Sequence, residues 1–89
     1  MVAEPLERPR ERRQSFARQA GMRCGSQAFQ RFLWEEGYAV APNREAATDA
    51  VREFCGVESR RELVAGTEAG AHWDMLEGLY QVWLAAVEG

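Results

Sequence analysis

Between Glu68 and Glu88 the apolar residues fall on two helical stripes rather than one. Trp73, Leu76, Tyr80, Trp83 and Val87 form the first. Ala71, Met75, Gly78, Val82 and Ala85 form the second, which is built mainly from small side chains. A helix that packs on one side needs a single stripe, so this one is expected to be sandwiched. The second stripe repeats a small residue every seventh position (Ala71, Gly78, Ala85), which suits close approach of another helix with Met75 and Val82 as knobs. Two coverings stay open: helices of the same chain that straddle both stripes, or a homodimer seam or partner groove.

Upstream, apolar positions and punctuation residues outline shorter helices. Ser26 caps a helix over Gln27 to Glu36 whose inner face is Phe29, Phe32 and Leu33 and whose stop is Gly37. Tyr38 to Pro42 reads as an extended linker. Asn43 caps a helix over Arg44 to Cys55, apolar at Ala47, Ala50, Val51 and Phe54 and closed by Gly56. Ser59 and Glu62 stand at capping-box spacing and open a short third helix that ends by Gly66, after which Thr67 caps the long one. Residues 10–20 predict a short polar helix stopped by Gly21, with Phe16 its single large apolar residue and little to dock it. Residues 1–9, with Pro5 and Pro9, are expected to be disordered. No period-2 run of β-branched residues predicts a strand.

The expected fold is therefore all-α: a small domain of three to four helices built on a long C-terminal helix at about 68–88, with a flexible N-terminal tail. The expected organisation is a basic, largely disordered or weakly helical leader at 1–25 and one acidic helical domain at 26–89. Charge supports that division. Residues 1–25 hold six Arg against three acids, and residues 26–89 hold five Arg against eleven. Met22 is a plausible alternative start, because translation from it begins just before the first well-patterned helix.

The acidic body repels phosphate backbones and favours basic partners. All eleven basic residues are Arg, which reflects GC-rich coding rather than structural choice. Two cysteines, Cys24 and Cys55, are too few for a disulfide framework and read as free thiols in a reducing cytoplasm. A single His leaves any zinc site short of ligands, and no cofactor or metal is expected. No apolar run is long enough to span a bilayer, and residues 1–25 lack the apolar centre of a secretory signal.

Candidate chemistry is sparse. His72 and Asp74 stand at i and i+2 on a helix and point apart. Ser15, Ser26, Ser59 and the two cysteines have no base nearby in sequence, so no enzyme activity is expected. Residues 44–65 suggest a helix-turn-helix in which Gly56-Val57 is the turn and Arg60 and Arg61 are the DNA readers. Against it stand Arg52 where a small buried residue belongs, a second helix cut short near Gly66, and the acidic surroundings. Trp34 and Tyr38, rimmed by Glu35 and Glu36, form a candidate hot spot for a protein partner.

Taken together, Phe32-Leu33-Trp34-Glu35-Glu36-Gly37-Tyr38, Cys55-Gly56-Val57-Glu58-Ser59-Arg60-Arg61-Glu62-Leu63, and Trp73, Tyr80 and Trp83 resemble small helical accessory proteins of phages and prophages of GC-rich bacteria. The resemblance covers residues 27–84 and implies a class of function. Such proteins commonly bind a host protein and block it, as anti-CRISPRs and inhibitors of host regulators do. The expected protein is a non-enzymatic interaction module that binds and inhibits or redirects a host protein. It is expected to be a homodimer, to act in the cytoplasm and to have no membrane or nucleic-acid partner. Its interface candidates are Ala71, Met75, Gly78, Val82, Ala85, Trp34 and Tyr38. The alternatives are a DNA-binding regulator that uses Arg60 and Arg61, and a subunit of a larger assembly.

Overall fold

The computed structural model describes residues 15–88, which form four helices and one 3-10 turn. Helix α1 runs Phe16–Cys24, α2 Gln27–Glu35, α3 Arg44–Cys55, the 3-10 turn Arg60–Glu62, and α4 Glu68–Glu88. No strand occurs among the described residues. The all-α fold built on a long C-terminal helix is thus as the pattern predicts. The expectation for residues 1–9 lies outside the described residues.

Each start follows from its cap. The Ser26 hydroxyl accepts from the Phe29 N–H, the Asn43 side chain from Ala46, and the Thr67 hydroxyl from Gly70. Gly56 closes α3 at φ +71°, a left-handed conformation that glycine adopts without a Cβ clash. At 21 residues, α4 is about 31 Å long.

The core is an aromatic stack between α2 and α4. Phe29 meets Tyr80 edge-on at 5.0 Å between ring centroids and Trp73 at 6.0 Å. Phe32 lies against Tyr80 at 5.5 Å and Trp83 at 5.8 Å. Helix α3 adds Ala47, Ala50 and Val51, and Leu63 plugs the core just past the 3-10 turn. Trp73, Leu76 and Tyr80 are buried as the first stripe predicts, whereas Val87 at its end is 51 % exposed.

Two expectations change. Helix α1 neither stops at Gly21 nor hangs free of the body: it is capped by Ser15, continues to Cys24, and buries Ala20 and Cys24 completely. Residues 16–24 therefore belong to the folded domain rather than to a leader that ends at 25. The dock is made by Ala20 and Cys24, by the half-buried Phe16 packed against the core, and by polar links across the chain. Trp73 Nε1 donates to Gln19 Oε1 at 2.7 Å, and Arg23 Nε donates to Glu77 Oε1 at 2.9 Å. The buried Gln30 amide donates to the Cys24 carbonyl at 2.8 Å, which satisfies an open acceptor at the end of α1.

The second change concerns the short third helix, which is reduced to the 3-10 turn Arg60–Glu62. Its capping box is present, with the Glu62 carboxylate accepting from the Ser59 and Glu58 N–H groups. Leu63 then takes an extended conformation to reach the core, and this ends the turn.

Candidate interaction surface

The two stripes of α4 have different fates. Helices α2 and α3 cover the first and leave the second to solvent: Ala71, Met75, Gly78, Val82 and Ala85 are all exposed, Met75 by 57 % and Val82 by 70 %. The chain does not straddle its own long helix, so the intramolecular covering is excluded among the described residues.

The surface is wider than the stripe. At 3.6 residues per turn, Leu79 and Ala86 fall on the same side, and with them the seven apolar residues fill an arc of about 120° over roughly 24 Å of helix. Both are exposed. They were missed in the sequence because a strict 4-3 spacing passes over them, although their angular positions were readable. Charge keeps to the flanks: Asp74 and Glu77 are the two charged residues between Glu68 and Glu88, and Glu77 is held by Arg23 against the body.

No family of known proteins, no curated protein and no solved structure matches this chain.

Beside the outer face lies an open groove of about 270 Å³ walled by Phe32, Tyr38 and Trp83, with Glu36 at its rim and Leu79, Val82 and Ala86 along α4. Tyr38 stands edge-on to Phe54 at 5.5 Å and leans on Phe32 at 6.1 Å. Trp34 is 49 % exposed but enters none of the aromatic pairs among the described residues. The expected Trp34–Tyr38 pair is therefore split: Tyr38 is a wall of the groove, and Trp34 stands apart from the groove lining.

Glu77 shows how the body pins α4. Burial alone would raise its pKa, but hydrogen bonds from Arg23 and Gln81 and the Arg23 charge outweigh that and lower it. The Glu77 partnership in turn raises the Arg23 pKa against the opposing effect of burial. The guanidinium also sits 5.1 Å from the Tyr80 ring centroid, a cation–π arrangement.

The serines and cysteines singled out in the sequence have structural places. Ser15, Ser26 and Ser59 cap helices or the turn. Both thiols are free and buried, and burial pushes Cys55 up to about 11, which suppresses the reactive thiolate. Burial also raises Cys24, against hydrogen bonding from Thr48 and the charge of Arg60. His72 is half-buried, with Nδ1 unpartnered, beside a cleft lined in part by Cys55, Glu62 and Glu68.

Residues 44–65 do not supply a second recognition helix, since the 3-10 turn spans three residues. The two proposed readers also lie differently. Arg60 is half-buried with its guanidinium against α1 at Gly21, and Arg61 is exposed. Arg52 is exposed and lies 3.7 Å from Asp49. With Arg18, Ser15 and Ser59, Arg60 and Arg61 line an open basic cleft of about 400 Å³. Among the described residues, no helix is long and apolar enough to cross a membrane.

Proposed function

We propose that this chain is a non-enzymatic protein-binding module that works through the outer face of α4 and the groove beside it. One observation carries the reading: a 120° apolar face, free of charge at its centre, is turned to solvent on the side of α4 opposite the core. Exposed apolar patches of this continuity mark interaction surfaces. The Tyr38 and Trp83 walls supply aromatic anchors of the kind that dominate binding energies. An acidic row on α3, exposed at Glu45, Asp49 and Glu53, complements a basic partner.

The partner class that fits the resemblance to phage and prophage accessory proteins is a host protein, inhibited or redirected in the cytoplasm. Where that partner presents a basic groove that normally holds nucleic acid, exposed carboxylates substitute for phosphate. The test is quantitative capture from lysate of a GC-rich bacterium, with the wild-type chain set beside Val82→Glu. A protein enriched on the wild type and lost on the variant supports the reading, and equal capture by both sinks it. The phosphate-mimic element requires affinity that falls with salt.

A second reading is favoured by the basic cleft. Arg18, Arg60 and Arg61 are in no ion pair among the described residues and stand beside two hydroxyls, so they can hold a phosphate-type anion. Binding to duplex DNA by this route would be non-specific and salt-dependent. Fluorescence anisotropy with Arg60→Ala and Arg61→Ala together decides it, since undiminished DNA binding would rule the cleft out.

A further inference from the structure

The outer face of α4 has a shape that selects its occupant. Large and small residues alternate along it, with Met75 and Val82 in one column and Ala71, Gly78 and Ala85 in the other. In an antiparallel helix pair, each layer joins one column of the first helix to the other column of the second. A second copy then sets Val82 over Gly78 and Met75 over Ala85, large against small in every layer. A parallel pair would instead stack Met75 on Met75 and Gly78 on Gly78, alternating crowding with voids.

Gly78 adds a second consideration. It sits in the middle of the longest helix, where glycine is a poor helix former, and a Cβ built there meets nothing within 4 Å. None of the described residues requires glycine at that position. A second backbone at close range would.

Charge and area point the same way. The centre of the face is uncharged, so two copies meet without like-charge repulsion there, although each chain carries a net charge of −3. Met75, Leu79 and Val82 expose 57 %, 41 % and 70 % of their surface on this face, large apolar area of the kind from which a specific interface of about 1,000 Å² over both partners is built. The chain's own residues 1–14 are a poor alternative occupant, because seven of them are charged and Val2 and Leu6 are their only branched apolar side chains.

We propose that the outer face of α4 is the seam of an antiparallel homodimer, with Val82 of each copy packed over Gly78 of the other. The inference rests on the interaction reading of this face and names a second copy as its partner there, in place of a host protein.

The test is solution mass by light scattering at high micromolar concentration, on the full chain and three variants. The wild type is expected at twice the 10.1 kDa chain mass. Val82→Glu is expected at the single-chain mass with unchanged far-UV circular dichroism; Val82 is 70 % exposed within one chain, so this variant folds. Gly78→Ala, which partly fills the hole, is expected to raise the dimer dissociation constant at least tenfold. Leu79→Cys, on the rim of the face beside the midpoint of the antiparallel seam, is expected to cross-link two copies on mild oxidation. A single-chain wild type overturns the proposal, as does a dimer indifferent to both Val82→Glu and Gly78→Ala. A dimer without the Leu79→Cys cross-link overturns the antiparallel arrangement. Capture of a host protein that is lost on Val82→Glu, from a wild type of single-chain mass, would overturn the self-pairing and leave the broader interaction reading intact.

Discussion

The indole N–H of Trp73 donates to the Gln19 side-chain oxygen at 2.7 Å and joins α1 to the core face of α4, across 54 positions of sequence. Trp73 is fully buried. A buried indole N–H without a partner costs about 1–3 kcal/mol, so Gln19 is a structural residue of the core.

Gln19→Leu is therefore expected to lower unfolding stability by about 1–3 kcal/mol, read as a drop in the urea midpoint. A chain that starts at Met22 lacks Phe16, Gln19 and Ala20 together, and with them most of α1. It is expected to lose cooperative unfolding altogether. A cooperative transition of wild-type midpoint in that shortened chain would show that α1 is dispensable, and with it the Trp73–Gln19 link.

Arg23 and Glu77 make the second link from α1 to α4, and their stability contribution depends on pH. The Glu77 pKa is lowered in the folded chain, so the carboxylate stabilises the fold at pH values above the ordinary carboxylate range. That stabilisation is lost as pH falls through the folded pKa. Glu77→Gln should flatten the acid limb of a stability-versus-pH curve and cost about 1 kcal/mol at neutral pH, a modest figure because the guanidinium is partly open to solvent. An unchanged acid limb in Glu77→Gln would mean that the pair contributes nothing.

The thiols set the alkaline limb. Cys55 is raised to about 11 and Cys24 is raised as well, both by burial. The unfolded chain therefore releases these protons at lower pH than the folded one, and stability falls as pH rises from the ordinary thiol range toward 11. Thermal melts between those limits should show this decline, and Cys55→Ala should reduce its slope. Thiol-specific reagents should react with the folded chain only at the rate at which it opens.

Much of this fold was legible from caps and periodicity. Ser26, Asn43 and Thr67 open helices where their side chains meet the first free N–H groups, and Phe29, Phe32, Leu33, Trp73, Leu76 and Tyr80 form the core that their spacing predicts. Helix α1 was not legible as part of the body, because its dock relies largely on small residues and long-range polar links. Ala20 and Cys24 carry little hydrophobic signal, and the partners of Gln19 and Arg23 are 54 positions away. The 3-10 turn was missed for a tertiary reason: Leu63 leaves the helical path to fill the core. For the interaction surface, the stripe was visible in the sequence, but its exposure depends on where α2 and α3 pack.

Two glycines of α4 test that last point, because the same substitution has opposite effects at each. Gly70 lies under the loop before α4, and an added Cβ would drive into the Val64 carbonyl. Gly70→Ala is therefore expected to displace the loop and cost about 1–3 kcal/mol, as overpacking does. Gly78 faces open space, so Gly78→Ala is expected to stabilise the single folded chain by about 1 kcal/mol through helix propensity alone. Both are read by urea denaturation at protein concentrations low enough to keep the chains apart. Stabilisation at both positions would show that the loop does not seat on Gly70. Destabilisation of the isolated chain by Gly78→Ala would mean that something in the chain already covers the outer face of α4, and the seam would have to lie elsewhere.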